Sequence, residues 1–365
     1  MKISFRLLGL FCLVVSSAYA ADDTTNPDVN RTSSDGYKLV WNDEFNASTL
    51  DKDTWNIEIN GNGNGNAELQ YYTDKPDNIS MGTEPESGAH CLVITAKRED
   101  YKGKSFTSGR ITTADKVFFT RGKLVSRIKF PKTKNGLWPA FWLLGNDYKE
   151  NGWPSCGEID ILEMGHADGI KAGTQDRYFN GACHWGFYKN GVYPNYAKAT
   201  TNDYSLQDGE FHTFTLEWDE NFISMYLDQD KYPDREPYYK IGVDEMVGEW
   251  ATGRYFQHDF FVIFNLAVGG YFTGILDPNQ ITALPKNGEA KMYVDWVRLY
   301  QKEDDQNAIV PDSYTNGIRN YMAQDASGTK RIYDVLGRRI SKIDARGLYL
   351  IQTPNGVKKY ICSNN

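Results

Sequence analysis

Three carboxylates stand close together in the stretch WPSCGEIDILEMG, Trp153 to Gly165: Glu158, Asp160 and Glu163. From Glu158 the run alternates carboxylate and Ile, then gives Leu and the third carboxylate, with no Lys, Arg or His inside it to neutralise the acidic side. Alternation of period two predicts a short strand with one apolar and one acidic face. A helix is disfavoured, because Pro154, Gly157 and Gly165 leave room for only about two turns. On a strand Glu158 and Asp160 project together, whereas Glu163 points the other way. One β-bulge between Asp160 and Glu163 returns it to their face. Two glutamates on one face, separated by an aspartate, supply what cleavage of a glycosidic bond needs: one group ionised to attack carbon, one kept protonated to donate to oxygen. The competing reading is a solvated acidic edge, since surface strands also carry such runs. After one bulge the glutamates act as if four positions apart, roughly 13 Å between backbones, which curvature and long side chains shorten. That spacing permits either a retaining pair, about 5–5.5 Å between carboxyls, or an inverting one, about 6.5–9.5 Å.

Other segments could hold a polymer beside these acids. Asn60 to Asn66, NGNGNGN, is a flexible small-residue loop running into AELQYYT, and reads equally as an ordinary long turn. TSGRITT places Arg110 on a strand of small and β-branched residues, where it could bond hydroxyls or pair with the acidic strand. LWPAFWLL sets Trp138 and Trp142 four apart, on one face if extended, although core packing is the commoner cause of paired Trp. In GACHW, His184 adjoins another aromatic; alone it reads as a core histidine.

The rest of the chain must position these groups. Its 365 residues, 40% hydrophobic and 24% charged, can bury a large core, as one big domain with a small appendage or as two equal domains. A net charge of -8 argues against nucleic acid as a partner. Nine Trp and twenty-four Tyr suit sugar stacking and a β-rich core alike. Lys2, Arg6, an apolar run from Leu7 to Val15 and the small residues of SSAYA predict a secretory signal over 1–20, too short to span a membrane. Phe11 before Cys12 is bulky where a lipoprotein signal has a small residue, so a free, exported chain is expected. Of the cysteines left after cleavage, Cys156 and Cys183 point to different sides of a sheet, so buried free thiols are expected in preference to a bridge. Five scattered histidines make a multi-histidine metal centre improbable.

Residues 21–35 read as a polar, disordered lead-in. From Tyr37 onward, short apolar or β-branched segments recur between Gly, Asn, Asp and Pro clusters, among them Leu39–Trp41, Cys91–Ala96, Lys123–Phe130, Phe211–Trp218, Phe260–Asn265 and Met292–Tyr300. Such spacing predicts an all-β fold of antiparallel sheets packed as a sandwich, over residues 36–302. Residues 303–316 lose the apolar pattern, contain Pro311 and read as a linker. A basic tail over 317–365 follows, with strand-like pieces at Arg331–Val335, Leu348–Gln352 and Val357–Ile361.

Taken in order, WNDEF, AELQYYT, SGRITT, GLWPAFWLLG, GWPSCGEIDILEMG, FHTFTLEW, FNLAVGG and YVDWVRLYQ closely resemble glycoside hydrolase family 16, the laminarinase and β-glucanase group, over Tyr37 to Lys302. The E-x-D-x-x-E form resembles its bulged laminarinase type. The resemblance implies a β-jelly-roll sandwich with a concave substrate cleft and a retaining double displacement. It implies Glu158 as nucleophile, Glu163 as general acid/base and Asp160 as the residue tuning the nucleophile. Trp138, Trp142, Trp153 and His184 fall on motifs lining the sugar subsites, and Arg110 and Asn66 match further cleft positions. No cofactor is required, but some family members hold a structural calcium, implicating the Asp295 carboxylate and the main-chain oxygen of Glu44. The expected activity is a secreted endo-β-glucanase on β-1,3-glucan or mixed β-1,3/1,4-glucan, acting as a monomer. Its rivals are a galactan-cleaving agarase or carrageenase type, against which the lack of a Lys/Arg cluster near the motif argues in the carrageenan case, and a non-catalytic glucan-binding lectin. The tail, through IYDVLGRRI and GLYLIQ, resembles the sorting domain read by the type IX secretion machinery, implying release or display at the cell surface; a carbohydrate-binding module is its rival.

Overall fold

A computed structural model describes residues 36–302 and 307–311 and, as backbone alone, residues 331–334, 339–340, 347–353 and 356–362. The expected signal segment over 1–20 and lead-in over 21–35 lie outside the described residues.

Two sheets pack face to face as a jelly-roll sandwich that does not close into a barrel. The ten-stranded sheet runs Tyr239–Gly242, Phe222–Leu227, His212–Trp218, Gly122–Lys129, Glu289–Lys302, His90–Tyr101, Lys104–Ser108 and Gln70–Tyr72, with Tyr37–Asp43 and Ile79–Thr83 paired beside this path. The eight-stranded sheet runs Asn195–Thr201, Tyr178–His184, Glu158–Met164, Leu137–Gly145, Phe260–Val268, Arg110–Thr112 and Asn56–Ile57, with Phe118–Phe119 on Phe260–Val268. The pairings are antiparallel save that of Gln70–Tyr72 with Lys104–Ser108. Hydrophobic patterning explains which face each strand buries. In Gly122–Lys129, Leu124 and Ile128 point into the core while Lys123, Val125 and Arg127 are more exposed. Phe260–Val268 is buried at every position, because one side packs in the core and the other lies under a second apolar cluster with Trp142 and Leu144.

One expectation is corrected. Residues 307–311 lie against the sandwich and do not behave as a linker: Ile309 and Phe118 exchange backbone hydrogen bonds of 2.9 and 3.2 Å, and the Asn307 amide donates to Thr120 O. The domain edge therefore lies beyond 302. The strand Asn195–Thr201 carries no apolar signature, because it forms a sheet edge and nearly all its residues are exposed. Cys91, Cys156 and Cys183 are buried free thiols. The tail strands form a separate antiparallel sheet in the order Arg339–Ile340, Arg331–Asp334, Gly347–Thr353, Gly356–Cys362. Among the described residues no helix is long and apolar enough to cross a membrane.

Candidate active site

The strand Glu158–Met164 sits between Leu137–Gly145 and Tyr178–His184. On one side Trp142 pairs with Asp160 and Phe141 with Leu162, so Ile161 is the extra residue of a β-bulge; on the other, the register slips between Asp160 and Glu163. The bulge absorbs one residue of the five-residue step, and Ile159, Ile161, Leu162 and Met164 are all fully buried. Its odd carbonyl is satisfied, because the Tyr238 hydroxyl donates to Ile161 O. Glycines bound the strand for steric reasons. At Gly157 (φ 75°) a Cβ would lie 2.7 Å from Phe260 and 2.8 Å from Tyr255 O, and at Gly165 (φ 97°) 2.0 Å from Leu137 O.

Glu158, Asp160 and Glu163 all line one cleft of 720 Å³, together with Trp138, Trp142, Trp153, His184, Arg110 and Asn66. His184 Nε2 lies 3.4 Å from Asp160 and 3.8 Å from Glu158, while its Nδ1 contacts the Tyr193 hydroxyl at 3.1 Å. Trp138 Nε1 donates to Glu163 Oε1 at 3.0 Å. Burial pushes Glu158 up to about 8, the charge of Asp160 adding to it and His184 and Arg110 opposing. Burial raises Asp160 as well. Glu163 is raised well above the carboxylate range by burial, then by the charges of Asp160 and Glu158. Three carboxylates crowded beside one imidazole, Asp160 buried and Glu158 and Glu163 half-buried, cannot all ionise. Glu163 is held protonated most strongly, because both neighbouring carboxylates repel its charge, whereas His184 and Arg110 oppose the rise at Glu158. One carboxylate able to attack and one carboxylic acid able to donate is the arrangement that glycoside cleavage uses.

The flanking residues differ in character. Trp138 is only 8% exposed and stacks on Phe272 at 4.6 Å, so it serves packing and cleft together. Trp142 donates to Asn265 Oδ1 at 2.7 Å under the Arg110 guanidinium, 4.8 Å above its ring. Arg110 pairs with Glu58, Nε to Oε1 3.0 Å, and not with the acidic strand. Trp153 is 44% exposed, its ring packed edge-on against Tyr193 at 4.8 Å. Asn66 holds the loop in place, its carbonyl accepting from Tyr271 N at 2.8 Å.

The family model for glycosyl hydrolases family 16 matches residues 66–239. A glucan endo-1,3-beta-glucosidase from Cryptopygus antarcticus is 34% identical over 301 residues, covering 80% of this chain and 96% of that one. The chain belongs to glycosyl hydrolases family 16. A Bacteroides ovatus mixed linkage glucan PUL GH16, solved in complex with a G4G4G3G product, is 36% identical with a TM-score of 0.62, covering 72% of this hydrolase and all (100%) of that chain. The clotting factor G alpha subunit of Tachypleus tridentatus is 33% identical over 268 residues, 73% of this hydrolase, which spans 34% of that longer protein.

Of the two donors in the calcium expectation for this family 16 hydrolase, one is engaged by a cation. Asp295 is hydrogen-bonded to Arg127, and the Glu44 side chain is held by Arg298. A carboxylate shared with a guanidinium is a weakened calcium ligand, while the Glu44 main-chain oxygen that the expectation named is not engaged by Arg298. Several cleft residues were missed from sequence: Glu68, Tyr188, Tyr193, Asn265, Tyr271 and Phe272. Tyr188 and Tyr193 flank Asn190-Gly191, both at positive φ, and Lys189 and Val192 pair across this turn. The Asn-Gly hairpin signal could have found them. Glu68 and Asn265 lie within AELQYYT and FNLAVGG, but nothing local reveals that they meet the acids.

Proposed function

We propose that this hydrolase is a secreted, retaining endo-β-glucanase acting on β-1,3-glucan or mixed β-1,3/1,4-glucan. One observation carries the reading: the Ile161 bulge returns Glu163, held by Trp138, to the cleft that Glu158 and Asp160 line. Glu158 attacks the anomeric carbon while Glu163 protonates the leaving oxygen; Glu163 then takes a proton from water, which releases the sugar from Glu158. Asp160, between them and 4% exposed, shares His184 with Glu158, and the imidazole opposes the repulsion between the two carboxylates. The names borne by the relatives support a β-glucan substrate, and the aromatic cleft walls suit stacked sugar rings. The reading needs no cofactor and takes the protein as a monomer. Export through the 1–20 signal and passage by the type IX machinery through the tail complete it.

Reducing-end assays on laminarin, barley β-glucan, agarose and carrageenan test the substrate, with activity on the first two expected; turnover of only the galactans overturns it. Proton NMR during early hydrolysis should show the β-anomer first. An initial α-anomer removes the nucleophile role from Glu158. For export, N-terminal sequencing of protein from the culture fluid should begin at Ala21.

A further inference from the structure

Register gives each of the three carboxylates one neighbour on the strand Tyr178–His184: Glu158 faces His184, Asp160 faces Ala182 and Glu163 faces Asn180. A Cβ on Gly181 would meet Met225, Tyr238 and Tyr239 at 3.0–3.1 Å, so Gly181 faces the core, and Asn180, Ala182 and His184 face the cleft side. Asn180 is 8% exposed, and its amide oxygen is buried with no hydrogen-bond partner. Its neighbour on the far side, Ala199, offers only a methyl group, as does Ala182 along the strand. A buried amide oxygen left unpaired is costly and asks for an explanation. Glu163 supplies one. An ionised carboxylate is an acceptor and cannot satisfy another acceptor, but a protonated carboxyl can.

We propose that Asn180 is a positioning residue for Glu163, its amide oxygen accepting the carboxyl O–H while the Trp138 indole N–H donates to Oε1. This rests on Glu163 being the acid of the proposed mechanism. Between turnovers the proton stays on the carboxyl oxygen facing Asn180. When substrate enters, the glycosidic oxygen replaces Asn180 as acceptor, the C–O bond to the leaving sugar breaks, and that sugar departs with the proton. Water returns a proton to Glu163 in the second step, and the contact reforms. The charged groups facing Glu163 are Asp160 and Glu158 on its own strand and His184 on the next, while Leu137–Gly145 contributes Trp138 and the uncharged Ala140. Asn180 is then the neutral group that favours the protonated form without adding charge.

The test is the pH dependence of kcat and KM for Asn180→Ala on laminarin, beside a dinitrophenyl β-glucan oligosaccharide whose leaving group needs no proton. The alkaline limb on glucan should move down by about one pH unit, with kcat above neutral pH falling about tenfold and KM nearly unchanged. Cleavage of the dinitrophenyl substrate should stay near wild type. Asn180→Asp keeps an acceptor oxygen but adds a negative charge, so it should hold the limb at or above its wild-type position. Should the Ala variant fold poorly, Asn180→Leu fills the same volume: a merely structural asparagine tolerates it on both substrates, whereas an acceptor for Glu163 is missed on glucan alone. An unmoved limb, or equal losses on both substrates, overturns the proposal. Glu163→Gln separates this from the functional reading, because its failure to impair glucan cleavage would remove Glu163 as the acid whatever Asn180 does.

Discussion

Buried charge is handled in opposite ways in the two sheets. In and beside the ten-stranded sheet, three buried acids each have a cation: Glu44 takes both arms of Arg298 at 2.8 and 2.9 Å, Glu84 takes Lys129 at 2.9 Å, and Asp295 takes Arg127. In the eight-stranded sheet, Glu158 and Asp160 share the His184 imidazole, while Glu163 takes the neutral Trp138 indole N–H. Burial pushes both Glu84 and Glu158 upward, but Lys129 and the Ser87 hydrogen bonds outweigh it and hold Glu84 at about 2, while Glu158 rises to about 8. Glu84 thus stays low because Lys129 and Ser87 balance it, whereas Glu158 rises because the His184 imidazole and Arg110 do not offset its burial and the charge of Asp160. Balanced charges hold the scaffold; the unbalanced set keeps a proton available to a substrate.

The sharpest way to break the comparison is to neutralise one member of each set. Glu158→Gln should cut glucan hydrolysis about ten-thousandfold or more while the protein stays folded. Activity within tenfold of wild type would mean that the attacking group lies elsewhere. Arg298→Met leaves Glu44 buried without its partner and should cost about 3–5 kcal/mol, seen as a melting temperature lower by roughly 10 °C. An unchanged melt would show that water already compensates Glu44.

The pH dependence of stability should then differ in sign between the sheets. Glu84 has its folded value depressed to about 2, so its contribution is present above about 4.5 and lost as pH falls through 2. Glu158 has its folded value raised from 4.5 to about 8, so it weakens the fold progressively as pH rises across that window. Glu84→Gln should therefore destabilise at pH 7 and be neutral near pH 2, by up to roughly 3 kcal/mol. Glu158→Gln should be neutral near pH 4 and stabilising by pH 8, by a similar amount at most, since coupling to Asp160 spreads the effect. Melting curves of both variants from pH 3 to 9 decide, and slopes of one sign would end the distinction.

The acidic face, the need for one bulge and most strands of the sandwich were legible because they depend on local period and spacing. The bulge is forced by the five-residue step from Glu158 to Glu163, and it appears at Ile161. Register between distant strands was not legible. Nothing in YFNGACHW announces that Asn180 will face Glu163, nor anything in FNLAVGG that Asn265 will hold the Trp142 indole from 123 residues away. Asn195–Thr201 stayed hidden because an exposed edge strand needs no apolar alternation. The tryptophans show the same limit. Trp138→Ala should lose both activity and roughly 3 kcal/mol of stability, since its ring is buried against Phe272, whereas Trp153→Ala should weaken glucan binding with the melt almost unchanged. Equal melting losses in the two would place Trp153 in the scaffold.

The smallest effect expected lies at the end of the sandwich, where sequence pattern fades before the fold does. Ending the chain after Pro311 retains the Phe118–Ile309 pairing and the Asn307 contacts to Thr120 and Gln301, so folding and hydrolysis should match the full-length protein. Ending it after Lys302 strips those bonds from Phe118–Phe119 and Gln301, which lie far from the acids in sequence and serve the scaffold. The loss should be about 1–2 kcal/mol, a few backbone and side-chain hydrogen bonds with modest apolar burial from Ala308 and Val310. Catalysis should not change, because neither the carboxylates nor His184 touches the segment. Comparing kcat/KM and melting for the two truncations checks this, and a fall in kcat/KM with an unchanged melt in the shorter chain would show that the 307–311 segment reaches the cleft after all.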